Sequence, residues 1–226
     1  MEEFFQNYYF LIIMLSAATI VCFLWLFIFN RERLHAKWWE LIIVCLLHTF
    51  IGVGFVKLFA ILESGGDFSN NGMSLYGGLF FMPLVYLIYA KAKKLPVFEI
   101  FDIFAVCLAI TYFFARFNCI HSGCCLGKIY DNVHGARYPT REIEIVFFAV
   151  SAIGGGLLNV RGYLKEKVFL VFLGSYGILR FILEFMRESS SAGIFHIAHL
   201  WSSLSIIVVA TTLIIKAYLK KEKSNR

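Results

Sequence analysis

Charge is what this sequence has least of. Only 16% of its 226 residues are Asp, Glu, Lys or Arg, against about a quarter in soluble domains. That shortfall excludes an ordinary water-soluble globule. No low-complexity tract breaks the chain, and the inverted repeat carried by many secondary transporters is not found. A secreted disulfide framework is missing too, because Cys22, Cys45 and Cys107 fall inside apolar runs and read as packing residues. The opening MEEFFQNYYF is acidic where a signal peptide is basic, and no small-residue cleavage site follows the apolar run. No cleavable leader is therefore expected. The formal net charge is +6, but the basic residues lie in short clusters between apolar runs. No nucleic-acid surface is expected from such a pattern; it carries topology instead.

What the chain has is apolar length. It is 60% hydrophobic and 18% aromatic, with a mean hydropathy of +0.75. A spanning helix needs about 20 mostly apolar residues. Seven runs qualify, at 9–29, 41–62, 74–90, 98–115, 143–160, 168–187 and 196–215. The third is the weakest, with Gly77-Gly78 at its start and Pro83 inside. The prediction is an all-α polytopic membrane protein, one integral domain over residues 1–226.

The connecting charges test that count. Arg31, Arg33 and Lys37 follow the first run, and Lys91, Lys93 and Lys94 the third. Arg161, Lys165 and Lys167 follow the fifth, and Lys216, Lys220, Lys221, Lys223 and Arg226 the seventh. Every cluster follows an odd-numbered run. The other connections carry Glu2, Glu3, Glu63, Asp67 and Glu188. The positive-inside rule then puts the N-terminus outside and the C-terminus in the cytoplasm. On that topology residues 116–142 form a polar segment on the outer face, or one that re-enters from it. Arg116, Lys128, Arg137 and Arg141 are basic residues on the wrong side of the rule. An anionic partner is the obvious reason.

Ionisable groups at membrane depth are costly and point to function. In the sixth run Tyr176, Arg180, Glu184 and Arg187 are spaced four, four and three apart, so all four share a helix face. Arg180 and Glu184 can pair along the helix. Two arginines to one glutamate leave a positive stripe. The bland alternative is an intrahelical pair that only fixes packing, with Arg187 reaching to the interface. Asp102 and Arg116 share a face of the fourth run, about 21 Å apart. Asp102 is expected to order the cytoplasmic half or to pair with a lysine. Arg116 is the better ligand group, since guanidinium bonds phosphate oxygens in bidentate fashion and keeps its charge. Gly154–Gly156 reads as close helix packing.

Between them lies Cys119, His121, Cys124 and Cys125. Structural zinc usually takes two separated Cys pairs, and adjacent cysteines ordinarily point apart, so no metal is expected here. A disulfide within this set stays open. Gly123 and Gly127 bracket the two adjacent cysteines and permit tight turns, whose backbone N–H groups could line an anion site.

Five blocks then occur in one order. They are SLYGGLF (74–80), ARFNCIHSGCCLGK (115–128), YPTREIE (138–144), YGILRFILEFMRE (176–188) and HLWSSL (199–204). With them the chain resembles the bacterial prolipoprotein diacylglyceryl transferases. The resemblance implies seven helices in the same orientation and residence in the bacterial cytoplasmic membrane. It implies transfer of a diacylglyceryl group from phosphatidylglycerol to the lipobox cysteine of a preprolipoprotein, with no cofactor. It gives Arg116 the phospholipid head group and places Tyr176, Arg180, Glu184 and Arg187 at the active site. Tyr76 stands where relatives carry His or Tyr tied to catalysis. A tyrosine of ordinary pKa is a poor base at neutral pH, so orienting the head group is its other role. Cys119, Gly123 and Gly127 belong to the substrate-binding block. Asn118 and Ile120 replace the Gly and aromatic of many relatives, Cys119 stands where some carry Asn, and His199 stands where Gln is usual. These departures bear on the acceptor more than the donor. A paralogue with another acceptor, and a non-catalytic phospholipid binder or transporter, remain the alternatives.

Overall fold

The computed structural model describes residues 2–68, 72–131, 133–188 and 196–224. The side chains of Glu2, Glu3, Lys220, Lys221 and Lys223, and all of Arg226, lie outside the described residues. Among those described are seven helices: α1 Glu2–Trp25, α2 Trp38–Glu63, α3 Leu75–Lys93, α4 Val97–His121, α5 Thr140–Val160, α6 Val168–Met186 and α7 Ile197–Ser224. A π-helical turn, Leu26–Asn30, extends α1. All seven are long and apolar enough to cross a membrane. The chain is a multi-pass membrane protein, as its composition predicted.

The burial pattern fits a lipid solvent. Phe50, Ile88 and Ile214 are among many large apolar side chains left exposed on the helix surfaces. In water such faces would be covered, whereas lipid tails solvate them. The most enclosed helix is α4, whose Ile103 to Tyr112 run is buried throughout. Small residues let neighbours approach. A Cβ on Gly156 would meet the Trp25 ring at 3.3 Å, and one on Gly155 would meet Val168 at 3.5 Å.

Gly77 and Gly78 have a stricter role in the weak third span. A Cβ on Gly77 would sit 2.1 Å from the Phe55 carbonyl oxygen, and one on Gly78 2.1 Å from the Tyr112 hydroxyl. That hydroxyl donates to the Leu75 carbonyl at 2.7 Å, which pins the start of α3 to α4. Gly77→Ala must therefore push α3 away from α2. It is expected to destabilise the protein by about 1–3 kcal/mol, as overpacking does, read as a lower unfolding midpoint in detergent.

The far end of the bundle is tied by polar contacts. Asp102 accepts the Phe169 backbone N–H at 2.9 Å and so orders the start of α6. Arg33 bonds Glu99 at 2.7 Å and Asn159 at 2.6 Å.

Of the boundaries that differ from the sequence reading, two matter to the site. The fourth helix runs past Ala115 to His121, because Phe117 and Ile120 continue its apolar face. It ends where Ser122 N–H bonds the Asn118 carbonyl at 2.9 Å and Gly123 turns to φ +67°. Arg116 and Cys119 therefore stand on a helix. The sixth helix stops at Met186, and Arg187 is already extended, at φ −88° and ψ 141°. It forms a bridge with Gly127, flanked by Lys128 N–H to the Met186 carbonyl at 2.8 Å and Glu188 N–H to the Leu126 carbonyl at 2.9 Å. A short hairpin, β1 Ile129–Asp131 and β2 Ala136–Arg137, follows. Its Asp131 carboxyl is held below the usual range by the His134 side chain and two backbone N–H groups.

Candidate active site

Three helices send ionisable side chains to one buried point. Glu144 of α5 stands at the centre, 1% exposed. One carboxylate oxygen of Glu144 receives Arg116 Nη2 of α4 at 2.7 Å, Arg180 Nη1 of α6 at 3.5 Å and the Tyr176 hydroxyl at 3.3 Å. Arg180 also meets Glu184 of its own helix at 2.8 Å, the pairing its spacing predicted. The positive stripe on α6 is thus answered from another helix. Two arginines share two carboxylates, and Arg187 adds a cation at the rim. Burial makes this set interdependent, because an uncompensated charge here has no water to fall back on.

Two chambers meet at Arg116. One, of about 180 Å³, is lined by Glu63, Ser74, Tyr76, Tyr176, Arg180 and Arg187 as well as Arg116. The other, of about 660 Å³, is largely apolar and runs between α1, α2 and α4 past Leu11, Leu15, Val56 and Leu108. Arg116, Arg187, Met73 and Leu75 line both. The Arg116 Nε–H is buried and makes no hydrogen bond among the described residues. A buried donor left open costs free energy, and the residue that carries it lines both chambers. The arrangement suits an amphiphile with an anionic head and apolar tails.

The sequence pattern of prolipoprotein diacylglyceryl transferases matches residues 4–215. The chain belongs to that family. A phosphatidylglycerol–prolipoprotein diacylglyceryl transferase of Lactobacillus delbrueckii subsp. bulgaricus is 24% identical, over 84% of this chain and 89% of its own length. One of Helicobacter pylori is 28% identical, over 74% of this chain and 64% of its own length.

Within this diacylglyceryl-transferase-family chain, the structure gathers most of the residues singled out from sequence, though in unequal roles. Arg116, Tyr176, Arg180, Arg187 and Tyr76 line the polar chamber. Glu184 does not line it but meets Arg180, which does. The Tyr76 hydroxyl lies 2.5 Å from Ser202 Oγ. Ser202 donates its one proton to the Ala198 carbonyl at 2.8 Å, so Tyr76 must be the donor between them. Its proton is committed, which favours an orienting role over that of a base. Cys119 lines the apolar chamber and receives Arg116 Nη1 at 3.7 Å. Neither Gly123 nor Gly127 lines a chamber. Gly127 lets two backbones touch, since a Cβ there would lie 2.1 Å from the Tyr138 carbonyl oxygen.

The expectation that Cys124 and Cys125 point apart does not hold. Cys125 adopts φ +60°, and the turn brings both sulfurs toward Cys119. Hydrogen bonds with Cys119 and Cys124 hold the Cys125 thiol well below the usual range. Nor does every basic residue of the polar segment await an external anion. Arg137 pairs with Glu188 and bonds the Gly127 carbonyl at 3.0 Å.

Glu144, Glu63 and Ser202 were missed as site residues. Glu144 had a signal, being a carboxylate at the head of an apolar run and the last residue of the YPTREIE block. Glu63 reads from sequence as a charge between spans, and nothing in the HLWSSL block singles out Ser202.

Proposed function

We propose that this protein transfers a diacylglyceryl group from phosphatidylglycerol to the lipobox cysteine thiol of preprolipoproteins. The observation that carries the reading is Arg116, with a buried N–H that has no partner among the described residues, at the junction of a cationic chamber and an apolar one. The diester phosphate would face Arg116, Arg180 and Arg187, and the acyl chains would occupy the larger chamber. The acceptor sulfur attacks the glycerol carbon bearing the phosphate ester. That C–O bond breaks, its electron pair stays on phosphate, and glycerol phosphate leaves. The guanidinium groups stabilise this growing charge more than the ground state, which is the source of rate.

The thiol proton needs an acceptor. Glu144 is already engaged by Arg116, Arg180 and the Tyr176 hydroxyl on one oxygen and does not line the chamber. Glu63 is the carboxylate that lines the chamber, and we assign it the proton. Under this reading the site end of the bundle faces outward from the bacterial cytoplasmic membrane, with the N-terminus outside and the C-terminus in the cytoplasm. Acceptors emerging from export meet it there.

The test is purified protein in micelles with phosphatidylglycerol and a lipobox peptide. Thioether-linked diacylglyceryl peptide is expected. Glu63→Gln is expected to retain lipid binding and slow product formation by about 10²-fold, the usual worth of a general base. Lipid binding without product would sink the transferase reading in favour of lipid capture. Product with another thiol but not with the peptide would sink the proposed acceptor.

A further inference from the structure

Three thiols converge beside Arg116. The Sγ atoms of Cys119, Cys124 and Cys125 all lie within 4.8 Å of one another. Cys119 stands on the last turn of α4, and the other two follow the turn that ends it. Gly123 at φ +67° and Cys125 at φ +60° bend the chain back over the helix end. A left-handed backbone is unfavourable for cysteine, so the turn needs outside support. Thr140 Oγ1 donates to the Cys125 carbonyl at 3.3 Å, and Glu188 N–H to that of Leu126 at 2.9 Å.

We propose that Cys119, Cys124 and Cys125 form a three-thiolate site for a thiophilic divalent cation, zinc above all, that fixes Arg116 in place. Zinc–sulfur bonds of about 2.3 Å put sulfurs roughly 3.8 Å apart around one ion. Side-chain rotation alone covers that contraction. Three thiolates on a divalent ion carry one net negative charge. Arg116 Nη1, at 3.7 Å from the Cys119 sulfur and 3.8 Å from that of Cys125, donates toward that charge, and Arg187, which lines the same chamber, adds a cation not spent on Glu144 or Glu184. The three thiol protons leave to solvent on binding. All three cysteines line the apolar chamber, which leaves the fourth coordination position for water or a substrate atom. A disulfide would use two of the sulfurs and leave the third without a role.

The readout is metal, so the result stands apart from the transferase proposal. Protein purified in micelles under reducing conditions and stripped with chelator would be titrated with Cd²⁺, whose thiolate band in the ultraviolet reports coordination. Saturation at one equivalent is expected, with Zn²⁺ displacing the band's growth and raising the unfolding midpoint. Cys124→Ser, at an exposed position, should abolish the stoichiometric band, whereas Cys45→Ser should keep it. A wild-type titration that never saturates at one equivalent overturns the site, whatever the variants do. So does unchanged binding in Cys124→Ser. Two missing free thiols in protein purified without reductant, traced to this trio by peptide mapping, would replace the metal site with a disulfide.

Discussion

A Glu144→Gln protein is expected to unfold at a clearly lower temperature and to lose transfer by about 10²–10³-fold. Both effects have one cause. Glu144 faces Arg116 at 2.7 Å and Arg180 at 3.5 Å, all three side chains being buried. Glutamine keeps the shape and one acceptor oxygen but removes the charge. Two guanidinium groups would then share a buried site with Glu184, which pairs with Arg180, and with the half-buried Glu63 of the chamber lining. Breaking a buried pair from one side typically costs about 3–5 kcal/mol. The catalytic loss follows because the arginines would turn from the chamber toward whatever anion remains, and each oriented cation is worth roughly 10²–10³ in rate. Glu184→Gln is the internal control. It frees one arginine contact instead of two, so its loss should be smaller on both readouts. Thermal unfolding in micelles and single-turnover product formation measure the two separately. A Glu144→Gln midpoint equal to wild type would mean the cluster does not depend on this carboxylate.

The contrast between Glu144 and the α6 residues shows what was legible beforehand. Seven spans were legible because lipid demands long apolar runs, and their number was checked by basic clusters that alternate. Tyr176, Arg180 and Glu184 were legible because one helix supplies its own geometry. A spacing of four places side chains on one face with no knowledge of any partner. The Arg116–Glu144 contact spans two helices joined by a turn and a hairpin, and no period encodes it. Its net effect was to reverse the charge reading, since a stripe that counts as cationic on α6 is balanced from α5. The adjacent cysteines failed for a related reason. Their divergence is a rule for extended or helical backbone, and Cys125 is in neither. Helix ends are similar. The extension of α4 to His121 rests on a Gly123 turn that could have been placed at several residues.

Arg116→Lys is expected to raise the phosphatidylglycerol requirement by more than about tenfold and to cut turnover by on the order of 10²-fold, with little loss of stability. Lysine keeps the charge that Glu144 needs, so the buried pair survives. What it lacks is the planar fork. Arg116 spends Nη2 on Glu144 and Nη1 on the sulfurs, and its Nε has no partner among the described residues. One ammonium at the end of a flexible stem cannot hold the carboxylate and grip a phosphate oxygen in fixed geometry at once. The substitution therefore separates charge from direction. Rates measured against the mole fraction of phosphatidylglycerol in mixed micelles, beside an unfolding curve for the same preparation, give the two parts. A variant with wild-type midpoint and wild-type rates would mean that a positive charge anywhere near this point suffices. The open Nε–H would then be a packing accident. A variant with wild-type midpoint and a rate that stays low at saturating lipid would mean that the guanidinium acts as the phosphate leaves, where direction counts most.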